Sequence, residues 1–321
     1  MGEKRIGQGG FVDAFMAPGV GANRRLERID ALLKWYRFEK LLKPLRSDVG
    51  RPGYPALSMF KALLLQQWYG LSDPGLEEAL LDRLSFRRFC GFSLDDATPD
   101  ETTFVRFRSA VGEAGIAEKL FAEVNRQLDK NGVILKAGTL VDASLVAMAV
   151  KRPPPGEGTQ SDKDPDAGLA KRQGQEDFFG YKAHIGVDLG SDLVRTAVLT
   201  SANINGSTVA DALICGDEKA VYADKAYESK ERRRRLKEAG IKDRIMRRGH
   251  KHQKDGLPRR QQVRNRLIAP IRANVERVFG LMKRSYGYRQ ARYRGLVRNQ
   301  AQLHLMCIAI NLRRAETLLA P

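Results

Sequence analysis

Residues 139–145 read Thr139-Leu140-Val141-Asp142-Ala143-Ser144-Leu145, a run of β-branched and apolar side chains that is typical of a buried β-strand. Further short runs of this character follow at residues 181–187, 193–199 and 220–223. Helical patterns separate the later runs, and strands that alternate with helices form a sheet with helices packed on its faces. The sequence therefore predicts an α/β domain over residues 133–321.

The chain before this domain has a different pattern, because its apolar residues recur at helical rather than strand spacing. This spacing is found in Leu26, Ile29, Leu32, Leu33, Met59, Phe60, Leu63 and Leu64. Breakers at residues 51–53 and 98–100 separate the segments, so residues 1–132 are predicted to form an all-helical N-terminal domain. Its short helices suit either a helix-turn-helix reader of DNA or a helical dimerisation module.

Composition limits the class of protein. The 321 residues are 42% apolar and 29% charged, which suits a globular chain of about two domains. No stretch approaches the roughly 20 apolar residues of a membrane span, and the N-terminus lacks an apolar signal core. A cytoplasmic protein without a membrane partner is expected. The cysteines Cys90, Cys215 and Cys307 match neither a zinc site nor a disulfide framework, so we expect them to be reduced, buried and structural.

The positive charge is concentrated in the last third of the chain. The net charge is +18, and residues 224–321 contain 27 Lys and Arg against 8 Asp and Glu. The remaining residues are close to neutral, with 29 Lys and Arg against 30 Asp and Glu. A basic segment of this length predicts a polyanion partner, and nucleic acid is favoured over a membrane because no amphipathic apolar face accompanies the run Arg232-Arg233-Arg234-Arg235.

Two aspartates stand at places where an α/β sheet commonly binds ligands. Asp142 lies inside an otherwise apolar strand, where a carboxylate is costly to bury unless it is paired or binds a metal. Asp224 follows the strand at residues 220–223, and ligands bind at the carboxyl ends of strands in open α/β sheets. Each has a structural alternative. A strand aspartate often makes only a hydrogen bond, and Asp224 is also a candidate N-cap for the helix near Ser229.

A third carboxylate, Glu276, belongs to a helix that Pro270 is predicted to start. At about 100° per residue, Arg272, Glu276 and Lys283 share one face of this helix. An apolar set gathers on another face and consists of Ile271, Val275, Val278 and Met282. The pattern predicts one packed face and one face that presents a carboxylate between two cations. An ordinary ion pair on a solvated helix is the alternative for this arrangement.

Oxygen ligands from two or three carboxylates are sufficient to hold Mg²⁺, which keeps several of its waters. Two such ions about 3.5 to 4 Å apart promote in-line displacement at phosphorus. Convergence of Asp142, Asp224 and Glu276 therefore predicts a site for two Mg²⁺ ions, for which Mn²⁺ is expected to substitute. Basic residues nearby are expected to hold phosphate.

The sequence resembles bacterial insertion-sequence transposases of the IS-five group, and the likeness covers nearly the whole chain. In the N-terminal part it is carried by the segments Leu64-Leu65-Gln66-Gln67-Trp68-Tyr69-Gly70-Leu71-Ser72-Asp73, Arg87-Arg88-Phe89-Cys90-Gly91 and Pro99-Asp100-Glu101-Thr102-Thr103. In the α/β part it is carried by Asp164-Pro165-Asp166-Ala167 and Phe179-Gly180-Tyr181-Lys182-Ala183-His184-Ile185-Gly186-Val187-Asp188. The resemblance implies a ribonuclease-H-like catalytic domain, with a mixed sheet flanked by helices.

The catalytic triad of the group carries over to Asp142, Asp224 and Glu276. Its signature of Tyr, Arg, Glu and Lys around the last acid is matched by Arg272, Glu276 and Lys283. Two positions depart from the pattern. Ala269 stands where the tyrosine would fall, and Ala226 replaces the glycine usual after the aspartate-lysine pair.

Several basic residues are expected to contact DNA. The resemblance and their shared helical face assign Arg272 and Lys283 to phosphates beside the scissile bond. His184 is a candidate general base or metal ligand, but on a strand it shares a face with Lys182 and is expected to contact DNA or support the site. The remaining candidates follow Asp224 or lie in a looser basic loop, and they are Lys225, Arg247, Arg248, Lys251, Arg259 and Arg260. The alternative for the loop is a basic segment that contributes only affinity.

The resemblance implies a DDE transposase. Water is expected to attack the phosphodiester at the transposon end, and the freed 3′-hydroxyl then attacks target DNA. The DNA partners are terminal inverted repeats and target DNA, and a homodimer on DNA is expected because two element ends must be held together. Two alternatives stay open: a metal-dependent nuclease without strand transfer, and a non-catalytic DNA-binding protein.

Overall fold

The helical pattern of the N-terminal part is present in the computed structural model, which describes residues 3–8, 17, 19–46, 52–148, 164–171, 177–249 and 256–320. The helices here are α1 (Arg24–Leu32), α2 (Tyr36–Leu42), α3 (Ala56–Tyr69), α4 (Asp73–Asp82), α5 (Leu84–Cys90), α6 (Glu101–Glu113) and α7 (Ile116–Lys130), with a 3-10 helix at Lys43–Leu45. Polar N-caps start three of them, because the side chains of Asn23, Ser72 and Asp100 accept backbone N–H groups of the first turn. Gly70, at a φ of 63°, ends α3 in the left-handed conformation that favours glycine.

Helix α3 is the centre of this part of the fold. Almost every residue of it is buried, including Met59, Phe60 and Leu63 to Leu65. The ring of Phe60 stacks on Phe38 of α2 with centroids 5.8 Å apart. A helix that is apolar on all sides must be surrounded by other elements, and α2, α4, α5 and α6 pack around it.

The last helix, α12 (Leu296–Leu318), is shared between two compact units. One unit consists of Met1–Asn131 with His304–Pro321, and the other of Gly132–Leu303. The sequence placed residues 304–321 in the second domain, so the structure differs here. The reason is burial: the indole N–H of Trp68 donates to the carbonyl of Ala309 at 2.9 Å, and the buried Glu316 pairs with Arg28 at 2.6 Å.

The second unit contains a six-stranded mixed sheet. Its strands are β1 (Thr139–Ala147), β2 (Gly168–Ala170), β3 (Phe178–Asp188), β4 (Val194–Ser201), β5 (Ala220–Ala223) and β6 (Lys242–Ile245). The strand order is β2-β3-β1-β5-β6, and β4 also pairs with β3. Strands β1, β3 and β4 are antiparallel neighbours, whereas β1, β5 and β6 run parallel. The predicted α/β class, with a mixed sheet flanked by helices and a helical N-terminal part, is confirmed.

Helices cover the sheet and connect its parallel strands. They are α8 (Gly206–Val209), α9 (Lys230–Glu238), α10 (Arg259–Arg272) and α11 (Val275–Ser285), with 3-10 helices at Ala210–Leu213 and Lys225–Tyr227. On one face, Val141 and Ala223 pack in a buried cluster with Leu236 of α9. The predicted apolar face of the Glu276 helix is confirmed for Val275, Val278 and Met282, which are buried, whereas Ile271 is half-buried and belongs to α10. No helix among the described residues is both long enough and apolar enough to cross a membrane.

The segment Asp164-Pro165-Asp166 anchors the beginning of α12. Asp164 is buried, accepts the Tyr181 hydroxyl at 2.8 and 2.9 Å from its two oxygens, and accepts the Gly295 N–H at 3.1 Å. Asp166 accepts the N–H of Leu296 at 2.8 Å, so it satisfies a donor in the first turn of the helix. This part of the resemblance therefore has a structural role.

We predict that Asp164→Ala destabilises the protein by about 1–3 kcal/mol, because it leaves the buried Tyr181 hydroxyl without its acceptor. Asp166→Ala removes only a cap near the surface and is expected to cost about 1 kcal/mol. Urea unfolding followed by circular dichroism measures both. Adding Tyr181→Phe to Asp164→Ala should recover part of the loss, and a double variant no more stable than Asp164→Ala would contradict the assignment.

Candidate active site

The parallel pairing of β1 with β5 places two carboxylates side by side. Val141 lies opposite Ala223 in this ladder, so Asp142 and Asp224 follow as the next residues of neighbouring strands, which are about 4.8 Å apart. Side chains alternate along a strand, so both carboxylates point away from the face on which Val141 and Ala223 are buried. The pKa of Asp142 is raised, first by burial and also by the charge of Asp224. The N–H of Ala143 and the Arg272 guanidinium act in the opposite direction.

Asp224 also has a local structural role. Its Oδ1 accepts the Lys225 N–H at 2.6 Å, and its carbonyl accepts the Tyr227 N–H at 3.0 Å. It therefore caps the 3-10 helix Lys225–Tyr227, whereas the hydroxyl of Ser229 caps α9. The alternative in which Asp224 caps the helix near Ser229 is therefore wrong. The cap that Asp224 does make is compatible with ligand binding, because a carboxylate has two oxygens.

Glu276 lies in the first turn of α11 and is 64% exposed. The predicted helix start at Pro270 is wrong: Pro270 is inside α10, which ends at Arg272, and α11 begins at Val275. The break between α10 and α11 has little effect on the relative position of Arg272 and Glu276. The turn residues Ala273 and Asn274 keep the backbone helical and preserve the i, i+4 relation between them. These two side chains are 3.4 Å apart.

Arg272 joins the two halves of the site. One guanidinium nitrogen, Nη1, donates to Oδ2 of Asp142 at 2.7 Å, and the other, Nη2, donates to Oε1 of Glu276 at 3.4 Å. Arg272 thus connects Asp142 with Glu276, and Asp224 lies close enough to Asp142 for its charge to act on that carboxyl group. A guanidinium held among carboxylates shows that this place suits a cation, and carboxylate oxygens are the ligands that Mg²⁺ prefers. The donor set fits a hard divalent ion.

Comparison with known families agrees with this geometry. Residues 18–110 match a family described as "Transposase domain (DUF772)", and residues 135–312 match the "Transposase DDE domain". The second match covers more than half of the chain and includes all three acids.

The chain belongs to the DDE transposase family.

It is accordingly a DNA transposase, from a family of enzymes that use divalent metal ions. Among solved structures, a cryo-EM structure of the piggyBac transposase synaptic complex with hairpin DNA matches with a TM-score of 0.46 and 11% identity. The match covers 93% of this chain and 73% of that chain. This similarity is too low to support an argument about residues.

A second group of potential ligands in this transposase consists of Cys215, Asp217 and Glu218, whose ligand atoms lie within 4.8 Å of one another. Its charges are already compensated. Asp217 pairs with Arg195 at 2.5 Å and with Lys136 at 3.1 Å, and Glu218 accepts backbone N–H groups of residues 215 and 216. We therefore assign it a structural role.

The prediction of buried cysteines is confirmed for Cys90 and Cys307. It is wrong for Cys215, which lies exposed in a turn.

His184 and Lys182 share a face of β3, as expected, but it is the face opposite Asp142. His184 pairs with Ala143 in the β1–β3 ladder, and directly paired residues point to the same side. His184 is fully buried and its Nε2 lies 2.9 Å from the hydroxyl of Thr200. A side chain without exposed surface cannot contact a phosphate, so the predicted DNA contact of His184 is corrected to a supporting role. Lys182 donates to the carbonyl of Ile204 at 2.7 Å.

The basic candidates after Asp224 differ in how strongly they are held. Arg247 is half-buried, donates to Asp243 at 2.5 Å and lies 3.6 Å from Glu228, so its charge is used within the fold. The DNA contact of Arg247 stays a prediction.

Four other candidates, namely Lys225, Arg248, Arg259 and Arg260, are exposed. Lys283 is half-buried, two turns after Glu276 on α11. Lys251 lies outside the described residues.

Two residues of the site were not found from the sequence. Tyr227 is buried, and its pKa is raised first by burial and then by the charges of Asp142 and Asp224, so it lies near both acids. Arg232 is also buried and donates to the Tyr227 carbonyl at 2.5 Å and to Asp211 at 2.8 Å. It ties the turn after Asp224 to the fold. Its position in a run of arginines concealed this role.

The rest of that run is paired as well. Arg233 contacts Glu228, Arg234 contacts Glu231, and Arg235 contacts Asp211. The four arginines at 232–235 therefore stabilise α9 and its neighbours rather than forming an uncompensated basic patch.

Burial lowers the pKa of His184 from 6.5 to about 4, with a further contribution from Lys182. The folded protein keeps the ring neutral while the unfolded chain takes up a proton, so stability is present above pH 6.5 and is lost as the pH falls towards 4. The shift corresponds to about 3 kcal/mol.

We predict that His184→Gln removes this part of the pH dependence, as measured by urea unfolding between the two pH values. Thr200→Val, which keeps the buried ring, should retain it. If the free energy of unfolding has the same slope against pH in the wild type and in His184→Gln, the imidazole is accessible to solvent and the prediction is wrong.

Proposed function

We propose that this transposase belongs to the IS-five group, cuts the ends of its own insertion sequence and joins the 3′-hydroxyl ends to target DNA. The proposal assigns catalysis to Asp142, Asp224 and Glu276. The observation that carries it is that Asp142 and Asp224 each follow directly after the paired residues Val141 and Ala223, with Arg272 bonded to both Asp142 and Glu276. A protein that only bound DNA would not need Asp142 beside Asp224 and bridged by Arg272 to Glu276.

We propose that Asp142, Asp224 and Glu276 hold two Mg²⁺ ions, with Mn²⁺ as a substitute. When bound, these ions supply activation of the attacking oxygen and stabilisation of the leaving oxygen. The chain's own residues fix the geometry: β1 and β5 set the spacing of the two aspartates, and α11 carries the exposed glutamate. Arg232 and Tyr227 hold the turn that follows Asp224.

Phosphate binding is proposed for the cations around these acids. Arg272 offers a planar fork of donors that suits phosphate oxygens, and Lys283 lies on the same helical side as Glu276. Lys225 follows a catalytic aspartate directly and is exposed. Farther from the acids, Arg248, Arg259 and Arg260 are proposed to follow the DNA backbone, where each neutralised phosphate adds affinity that weakens with salt.

The N-terminal helices are proposed to bind the terminal inverted repeats, to dimerise, or to do both. A homodimer on DNA is proposed, because insertion of the element needs both of its ends in one complex. The remaining alternative is a nuclease with the same acids and metals but without strand transfer, and the products of the reaction distinguish it.

The test uses a labelled duplex that carries the terminal repeat of the element, together with an unlabelled target. We predict nicking and joined product with Mg²⁺ and neither with EDTA. Glu276→Gln keeps the shape of the side chain and removes its charge, so both products should fall on the order of 10³-fold. Glu231→Gln, which removes an exposed carboxylate on α9, is the matched control and should react normally.

Nicking without joined product would identify a nuclease. DNA binding without any cleavage, equal with Mg²⁺ and with EDTA, would contradict the enzymatic proposal.

A further inference from the structure

Each oxygen of the Asp142 carboxylate already accepts a donor. Its Oδ1 accepts the Ala143 N–H at 2.8 Å, and its Oδ2 accepts Arg272 at 2.7 Å. Both side chains are about one-fifth exposed, so solvent weakens this ion pair less than it weakens a surface pair. Any other cation that binds Oδ2 of Asp142 lies beside the Arg272 guanidinium.

The charge of Arg272 cannot be removed, because a guanidinium does not lose its proton in proteins. A second cation placed between Asp142 and Asp224 would stand close to this positive charge, and like charges repel strongly where water is partly excluded. Arg272 and a divalent ion therefore compete for the same carboxylate.

The Arg272 side chain also has an alternative position and an alternative partner. Its second contact, to the 64% exposed Glu276, is long at 3.4 Å, and the residue occupies the last turn of α10 beside the turn that leads into α11. A long side chain at a helix end can reorient without disturbing the packed core. The guanidinium fork matches the oxygens of a phosphate, so a nearby DNA backbone offers a replacement partner.

We propose that Arg272 is an internal counter-ion that holds Asp142 and Glu276 together in the metal-free protein and moves to a DNA phosphate when a divalent ion binds. The proposal rests on the proposed function, in which these acids bind the metal. Under this proposal, metal binding and DNA binding are positively coupled through the Arg272 side chain. By thermodynamic linkage, DNA must raise metal affinity by the same factor as metal raises DNA affinity.

The test measures Mn²⁺ binding by calorimetry for the full-length protein, with and without a duplex that already ends in the 3′-hydroxyl. Without DNA, Arg272→Gln should bind Mn²⁺ on the order of 10-fold more tightly, because the competing charge is gone. Arg277→Gln removes an exposed charge one residue beyond Glu276 and should change the affinity by less than about 2-fold. With DNA, the wild type should gain Mn²⁺ affinity and Arg272→Gln should gain little.

Thermal melting in EDTA gives a second readout. Arg272→Gln should melt below the wild type, because it leaves Asp142 without its cation, and Mn²⁺ should raise its melting temperature more than that of the wild type. Arg272→Lys retains the charge and should bind Mn²⁺ like the wild type. This variant keeps the proposal testable if Arg272→Gln fails to fold, since a marked gain in Mn²⁺ affinity by Arg272→Lys would contradict competition by charge.

The variant Asp224→Asn distinguishes failure of the counter-ion proposal from failure of the proposed metal site. If Asp224→Asn abolishes Mn²⁺ binding but Arg272→Gln leaves it unchanged or weaker, the counter-ion proposal is wrong and the metal site stands. If Asp224→Asn binds Mn²⁺ like the wild type, the proposed metal site itself is wrong.

Discussion

The parallel pairing of Val141 with Ala223 is the constraint on which the site depends, because it forces Asp142 and Asp224 into neighbouring positions on one face of the sheet. Two carboxylates at this spacing repel each other, and burial adds to the cost of keeping Asp142 charged. Such a pair persists only where something compensates it. In this transposase the surrounding side chains supply that compensation.

Arg272 supplies the positive charge, and its fork reaches Asp142 and Glu276 from a single position at the end of α10. Arg232 donates to the Tyr227 carbonyl and so holds the turn that follows Asp224. The adjacent core of Val141, Ala223 and Leu236 packs against the strands that carry the two aspartates. The aspartates are therefore held by a packed sheet, whereas Glu276 is exposed.

The sequence was sufficient for the strands and the helical N-terminal part, because these depend on local patterns of burial, and it singled out the three acids whose catalytic role is proposed. It failed where long-range packing decides. Nothing in the spacing of His184 shows which sheet face it takes, since only its pairing with Ala143 sets that face. Residues 304–321 join the first unit through contacts such as Trp68 with Ala309, which no local pattern predicts. The structural role of Arg232 was not visible in the arginine run at 232–235, because its acidic partner Asp211 is distant in sequence.

The most direct test of the account is a crystal structure of the protein with Mn²⁺, in which anomalous scattering locates the metal independently of any assumed ligand. The account predicts a peak within coordination distance of both Asp142 and Asp224, with the Arg272 guanidinium no longer on Oδ2 of Asp142. A peak at Cys215, Asp217 and Glu218 with none beside Asp142 would contradict it, as would a peak beside Asp224 alone.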